Sequence, residues 1–161
     1  MRTLFVTALL LSLACAAPVL AGPGEDADAA YARGDHAGAM KIYRELAVQG
    51  LAPAQFNLGV MYDFGQGVAK DPVEAVRWYR AAAVQGHGGA QFNLAGMYFD
   101  GLGVAQDPVR SYVWFTLAAA AGAPGASRNR SALSKLLDAA QMERAQRMVR
   151  DCQSRNFVGC D

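Results

Sequence analysis

Apolar residues recur at helical spacing along this chain, and two stretches repeat the same pattern at an interval of 36 residues. Residues 54–89 and 90–125 align without a gap. In both stretches, small and apolar side chains fall four, seven and eight positions from the first one, which is the spacing of one helix face. The face in the first stretch consists of Ala54, Leu58, Met61 and Tyr62. The pattern predicts two helices in each repeat and no strands.

Capping residues predict where these helices begin and end. Gly65 follows the first helix, and its missing Cβ allows the left-handed conformation that often closes a helix. Asp71 and Pro72 suit the start of the second helix, because aspartate accepts from free backbone amides and proline needs no amide partner there. Glu74 is expected to complete a capping box with Asp71. Gly86 is expected to end the second helix.

The two-helix pattern extends in weaker form on both sides of the repeats. Upstream, residues 26–33 and 35–50 predict a helix pair that matches the repeats at the same interval. Downstream, residues 126–137 and 139–152 predict a last pair, whose second helix begins with a capping box at Asp138. The chain is therefore expected to consist of a leader, a degenerate helix pair, two repeats and a capping pair, at residues 1–21, 22–53, 54–89, 90–125 and 126–161.

The repeated residues resemble those of the Sel-one-like repeat family, whose members are built from tetratricopeptide-related helix pairs of about 36 residues. The resemblance rests on Leu58-Gly59 with Tyr62, on Gly65-x-Gly67-Val68-x-x-Asp71, and on Ala75, Trp78-Tyr79 and Ala81-Ala82-x-x-x-Gly86. It implies an all-α, right-handed α-solenoid of about four antiparallel helix pairs that mediates contacts between proteins without a cofactor. The second repeat departs from this pattern, with Ala95 for Gly59 and Ser111 for Ala75.

The first 21 residues have the features of a secretory signal peptide. A short basic start precedes an apolar stretch at residues 4–14, which is shorter than the roughly 20 residues that span a bilayer. Val19-x-Ala21 presents small residues to signal peptidase, so cleavage is expected between Ala21 and Gly22. The alternative is a lipoprotein anchored at Cys15. The predicted location is the periplasm or the outside of the cell, with no transmembrane segment after cleavage.

Cys152 and Cys160 are the two cysteines that remain after the predicted cleavage. Seven residues lie between them, and an oxidising compartment allows them to form a disulfide that holds the C-terminal tail. A metal site would need more ligands than this region carries, because no histidine follows His87.

Charge and motifs argue against several other classes of function. Fifteen basic and fourteen acidic residues leave no electrostatic footprint for nucleic acid. The Gly65-x-Gly67 turn lacks the third glycine of nucleotide-binding loops, and no Ser-x-x-Lys nucleophile is present. His36 and His87 are expected to be solvated, at a helix start and in a turn between repeats. We therefore predict no catalytic residue, no metal ligand and no cofactor.

The predicted binding surface is the face of the first helices that points away from their helix partners. In a solenoid, successive first helices lie side by side and line the concave groove. The predicted groove residues are Phe56, Asn57, Val60, Asp63, Phe64, Phe92, Asn93, Phe99 and Asp100. The alternative for Phe56 and Phe92 is packing between adjacent repeats. Asn57 and Asn93 either tie neighbouring repeats together or form an amide ladder that holds a partner's backbone.

The predicted function is that of a monomeric, extracytoplasmic scaffold or adaptor that binds a protein or peptide in this groove. One alternative is a regulatory part of the cell envelope that acts on peptidoglycan machinery. Another is a β-lactam-binding or β-lactam-hydrolysing relative of the cysteine-rich secreted repeat proteins. Those relatives carry a cysteine pair in each repeat, whereas this chain has a comparable pair only at Cys152 and Cys160.

Overall fold

The computed structural model describes residues 22–157, 159 and 160, and this part of the chain forms eight α-helices and no strand. In chain order they are α1 (Pro23–Ala32), α2 (His36–Val48), α3 (Ala52–Phe64), α4 (Pro72–Ala83), α5 (Gly88–Asp100), α6 (Pro108–Ala120), α7 (Ala126–Leu133) and α8 (Ala139–Ser154). Consecutive helices pack on each other as far as α7, and α8 also packs on α6. The prediction of an all-α helical-repeat solenoid is confirmed. The leader, with Cys15 and the cleavage position at Ala21, lies outside the described residues.

Local capping signals account for most of the helix ends. Gly65 and Gly101 close α3 and α5 in the left-handed conformation. Asp138 and Gln141 form the predicted capping box of α8. The predicted end of α7 is wrong, because this helix stops at Leu133 rather than at residue 137.

The capping box predicted at the start of α4 is also wrong. The Asp71 carboxylate does accept from the backbone amides of Val73 and Glu74. However, the Glu74 carboxylate does not return to Asp71. It accepts instead from the Arg77 guanidinium, at 2.9 and 3.1 Å, because a cation one turn later offers charge-assisted hydrogen bonds.

The core lies between neighbouring helices and combines small residues with a few large side chains. Alanines at the helix contacts are fully buried, which lets the helix axes approach closely. The largest fully buried side chains include Trp114, Tyr79, Leu58 and Leu94. The repeated sequence positions are therefore mainly positions of helix packing.

The turns after α3 and α5 each pack against the start of the second helix of the preceding pair. Gly67 and Gly103 both adopt positive φ, at 71° and 68°. A Cβ at Gly67 would lie 2.7 Å from the His36 carbonyl oxygen, and one at Gly103 would lie 2.1 Å from that of Pro72. These glycines therefore permit close backbone contact between successive pairs.

Buried glutamines also link neighbouring repeats, but one of them lacks a partner. The Gln55 amide donates to the Ala47 carbonyl at 3.1 Å, and its oxygen accepts from the Gln85 amide at 2.7 Å. One repeat later, the fully buried Gln91 donates to the Ala83 carbonyl at 3.1 Å. Its side-chain oxygen is buried without a hydrogen-bond partner in the described part of the chain.

The Gln91 oxygen is unpaired because the repeat does not supply its donor. Ala121 stands 36 residues after Gln85, and an alanine has no amide that could donate as Gln85 does to Gln55. We expect Ala121→Gln to raise the free energy of unfolding by about 1 kcal/mol, because the new amide can donate to the Gln91 oxygen. Urea denaturation measures the change. Ala120→Gln is the matched control at the neighbouring exposed position. An equal effect of the two substitutions would contradict the assignment.

Cys152 and Cys160 form a disulfide that joins the tail to α8. Both cysteines are buried in the same core cluster as Trp114. The ring of Phe157 in this tail lies beside Gly86, at the end of the second helix pair. The disulfide therefore closes a tail that covers earlier parts of the solenoid.

Candidate functional site

The candidate site is the groove face, which we define by the residues that line three cavities along one side of α3, α5 and α7. On these helices and in the turn after α7 they include Phe56, Asn57, Val60, Asp63, Phe64, Phe92, Asn93, Gly96, Phe99, Asp100, Asn129, Ala132 and Leu136. Asp28 of α1 and Leu102, in the turn after α5, also belong to this face. Most of those on one helix stand about one helical turn from another member, so they point to the same side. Equivalent positions recur from helix to helix at the 36-residue interval.

Three shallow cavities follow one another along this groove face. The first, of about 350 Å³, is lined by residues of α1, α2 and α3. The second, of about 190 Å³, lies between α3 and α5, and the third, of about 270 Å³, lies among α5, α6 and α7. Gly96 and Asp100 line both the second and the third cavity. Each of the nine groove residues predicted from sequence lines one of the three cavities.

The second and third cavities carry exposed apolar side chains. Phe64 and Leu102 line the second cavity and are 67% and 44% exposed. Phe99 and Leu136 line the third and are 39% and 68% exposed. Clustered apolar side chains that remain in contact with water are typical of surfaces that bind other molecules.

Phe56 and Phe92 belong to the repeat interface as well as to the groove face. The Phe56 ring stacks on the imidazole of His87, with ring centroids 4.6 Å apart. The Phe92 ring meets Phe115 of its own helix pair edge to face at 5.3 Å, and it lies 3.7 Å from where a Cβ at Gly125, just before α7, would stand. Both rings are half-buried. Removing either ring would loosen the contact between helices, so these positions cannot separate binding from stability.

A buried tyrosine connects the first two helix pairs below the first cavity. The Tyr43 hydroxyl donates to the Asp28 carboxylate. Burial is the main cause that raises the pKa of Tyr43, and the neighbouring Asp28 carboxylate raises it further. The neighbouring Asn57 side chain on α3 lowers this pKa in part. Asn57 therefore lies beside the Tyr43 hydroxyl, where α3 meets the helix pair before it.

The same arrangement occurs one repeat later, around Tyr79. Its hydroxyl donates to the Asp63 carboxylate at 3.3 Å, and Asn93 acts on it as Asn57 acts on Tyr43. Burial, followed by the charge of Asp63, raises the pKa of Tyr79. Both asparagines therefore stand beside a tyrosine of the preceding helix pair, and both also line cavities.

The groove face is acidic. Asp28, Asp63 and Asp100 each line one or two of the three cavities, and no lysine or arginine is among the lining residues. Carboxylates spread along an apolar groove favour a ligand that brings positive charge.

The expectation that His87 is a solvated turn residue is wrong. His87 caps α5, because its Nδ1 accepts from the Ala90 backbone amide at 3.1 Å. Its ring is partly buried and stacks on Phe56. Burial lowers the pKa of His87 below its ordinary value. The neutral imidazole is therefore part of the repeat interface.

The lowered pKa of His87 predicts that the folded protein becomes less stable in acid. Below pH 6.5, which is about the ordinary pKa of histidine, the unfolded chain takes up a proton that the folded His87 does not. The free energy of unfolding is therefore highest above pH 6.5 and falls as the pH drops towards the folded-state pKa. His87→Asn keeps a capping side chain that does not titrate. Urea denaturation at pH 7.5 and pH 5 should show a smaller loss in this variant, and an unchanged loss would contradict the role of His87.

Two further properties concern the part of the chain that the structure describes. It contains no group of three or more histidine, cysteine, aspartate or glutamate side chains arranged to hold a metal ion. Within the same residues, no helix is long and apolar enough to cross a membrane.

Several groove residues were missed by the sequence reasoning. Asn129, Leu102 and Leu136 line the second or third cavity, and Asp28 lines the first. Asn129 carried a detectable signal, because it stands 36 residues after Asn93. Leu136 stands 36 residues after Asp100 and Asp28 stands 36 residues before Phe64, but the residue type changes at these positions. Leu102 carried no signal, because the first repeat has Gln66 at the equivalent position.

Comparison with known proteins identifies similar sequences and folds. The Sel1 repeat family matches residues 52–87 and 89–122. No curated protein matches the chain. One similar structure is that of a protective antigen present in uropathogenic Escherichia coli strains, which displays an SLR fold. The two sequences are 30% identical and the TM-score is 0.78, over 84% of this chain and 31% of the antigen. A Sel1 repeat protein from Oxalobacter formigenes is 37% identical with a TM-score of 0.57, over 58% and 38% of the two chains. This chain therefore spans about a third of the length of each.

Proposed function

This chain is a Sel1-like helical-repeat protein, and from that premise we propose that its groove face binds a segment of a partner protein. Sel1 repeat proteins are generally protein-interaction scaffolds. The observation that carries the proposal is the position of Phe64, Leu102, Phe99 and Leu136, which are exposed apolar side chains along adjoining cavities. A folded chain gains nothing in stability from leaving such side chains in water, whereas a partner that covers them gains affinity.

The chemistry of the groove face selects the kind of segment. Its apolar side chains favour a segment with apolar anchors. Asp28, Asp63 and Asp100 favour lysine or arginine between those anchors, because the cavity linings supply no positive charge of their own. The partner segment therefore combines apolar and basic residues.

Selection from a displayed peptide library on the purified protein tests this proposal. The enriched peptides are expected to combine apolar with basic residues, and fluorescence anisotropy measures their affinity. Affinity should fall as salt rises from about 0.01 M to about 0.15 M, because salt screens exposed charges. The matched control is each peptide with its lysines or arginines changed to glutamate. Enrichment of acidic peptides, or control peptides that bind equally well, would contradict the proposal.

We also propose that the protein works outside the cytoplasm. The pattern of residues 1–21 supports export, and the disulfide between Cys152 and Cys160 is of a kind that oxidising compartments maintain. N-terminal sequencing of the exported protein is expected to begin at Gly22. A mature protein that begins at an acylated Cys15 would instead establish a membrane-anchored lipoprotein.

A further inference from the structure

The third cavity differs from the other two in one chemical group. At the first two junctions between helix pairs, the chain's own tyrosine hydroxyl donates to an aspartate and lies beside an asparagine side chain. Phe115 occupies the corresponding position at the third junction, 36 residues after Tyr79. Phe115 is buried and lines the third cavity. The third junction therefore has the aromatic ring without the hydroxyl.

The polar groups that would flank such a hydroxyl are still present. Asn129 stands 36 residues after Asn93. Asp100 stands 37 residues after Asp63, one position from the repeat interval. Both line the third cavity. Neither side chain has a hydrogen bond or an ion pair with another described residue, whereas Asp63 accepts from Tyr79. A carboxylate acceptor and an amide thus face a cavity without a bridging donor.

The rest of the cavity lining is suited to an aromatic ring. Phe99, Phe115, Leu133 and Leu136 supply its apolar surface, while Gly96 and Ala132 leave it open. Its volume of about 270 Å³ is just below the range of roughly 300–1,000 Å³ that is typical of small-molecule sites. It therefore has room for one large side chain of a partner.

We propose that the third cavity binds a tyrosine side chain of the partner segment, whose hydroxyl bridges Asp100 and Asn129. It would take the place that the hydroxyls of Tyr43 and Tyr79 have between an aspartate and an asparagine at the earlier junctions. This inference rests on the proposed function of the groove face. It identifies tyrosine as the side chain of the partner segment that enters the third cavity. A phenylalanine would fill the apolar part but would leave the carboxylate and the amide without the bridge. A lysine would reach Asp100 but would bring no ring to Phe99 and Phe115.

Two small probes test the inference without a known partner. N-acetyl-tyrosinamide and N-acetyl-phenylalaninamide differ only in the hydroxyl. Titrations followed by ¹H–¹⁵N NMR should show shifts at the backbone amides of Gly96, Asn129 and Leu133 for both probes. The tyrosine probe should bind about fivefold more tightly, which is the effect of one net hydrogen bond of about 1 kcal/mol.

Three variants distinguish the hydroxyl bridge from simple apolar packing. Phe115→Tyr supplies the bridging hydroxyl from within the chain and should reduce binding of the tyrosine probe at least tenfold. Asp100→Asn replaces the carboxylate with an amide at an exposed position and should remove the preference between the two probes. Tyr79→Phe removes the tyrosine hydroxyl at the second junction. The tyrosine probe should then give new backbone amide shifts near Asn93. Thermal unfolding followed by circular dichroism verifies that each variant folds.

The outcomes separate this inference from the proposed function. Equal affinity for the two probes, absence of shifts at the third cavity, or a tyrosine preference that survives Asp100→Asn would each overturn the tyrosine site. Enriched library peptides that bind the groove face without tyrosine would overturn it too, while the proposed function would stand. Loss of the preference in Asp100→Asn, together with weaker binding to Phe115→Tyr, would support the site even where no peptide is enriched.

Discussion

Replacing Gly103 with alanine is expected to lower the free energy of unfolding by about 4 kcal/mol. Two costs add together. Gly103 has a φ of 68°, a conformation that costs a residue with a Cβ roughly 1–3 kcal/mol. The new Cβ would also lie 2.1 Å from the Pro72 carbonyl oxygen, which is backbone and cannot rotate away. The turn after α5 would have to move off α4, with a packing cost of roughly 1–3 kcal/mol.

Gly122→Ala is the matched control for this substitution. Gly122 has a similar φ of 78°, but no atom lies within 4 Å of the position that a Cβ would take. Only the backbone cost applies there, so we expect a loss of about 1 kcal/mol. Urea denaturation of both variants measures the difference. Similar losses for Gly103→Ala and Gly122→Ala would show that close contact between helix pairs is not what requires glycine at position 103.

Replacing Phe64 and Phe99 together with serine is expected to weaken binding of the library-selected peptides by at least 30-fold. That change corresponds to about 2 kcal/mol, which is typical when aromatic anchors of an interface are lost. The fold should lose less stability than at a fully buried phenylalanine, because the two rings are 67% and 39% exposed in the free protein. Fluorescence anisotropy measures the affinity, and urea denaturation measures the stability. These positions are better suited to the test than Phe56 and Phe92, whose rings contact the neighbouring helices.

The matched control replaces two exposed valines outside the three cavities. Val48 and Val73 are 75% and 63% exposed and line none of them. The double substitution to serine removes exposed apolar surface without touching the groove face, so peptide affinity should stay within about twofold. If this control weakens binding as much as the Phe64 and Phe99 substitutions do, the peptides bind elsewhere on the solenoid.

Much of the architecture could be predicted from the sequence, because the information is local and repeated. Gly65 closes α3 and Asp138 begins α8 through contacts within a few residues, so their roles follow from residue type and position. The repeat interval places the same residue types at the same helix contacts. Two of the failures, at the end of α7 and at the start of α4, were local as well. Glu74 had two partners within reach, and the choice of Arg77 over the backbone amide depends on side-chain geometry that residue type does not specify.

The groove face could be predicted only in part. Helical periodicity identifies which side chains share a face of α3 and α5, and the nine predicted residues do line the cavities. Periodicity does not distinguish Phe64, which is exposed, from Phe56, which stacks on His87. That difference depends on where the neighbouring helix pair lies. The partner contacts of this face remain predictions.

By itself, the sequence determined the helix pairs, their interval and most of their ends, since these depend on residues a few positions apart. Only the tertiary structure decided which groups meet across that interval. It placed the Gly103 turn against the Pro72 carbonyl, left the Gln91 oxygen unpaired, and joined Asp63, Tyr79 and Asn93 in one cluster. The physical reason is that these contacts join residues from different helices, so they depend on how closely and at what angle those helices pack.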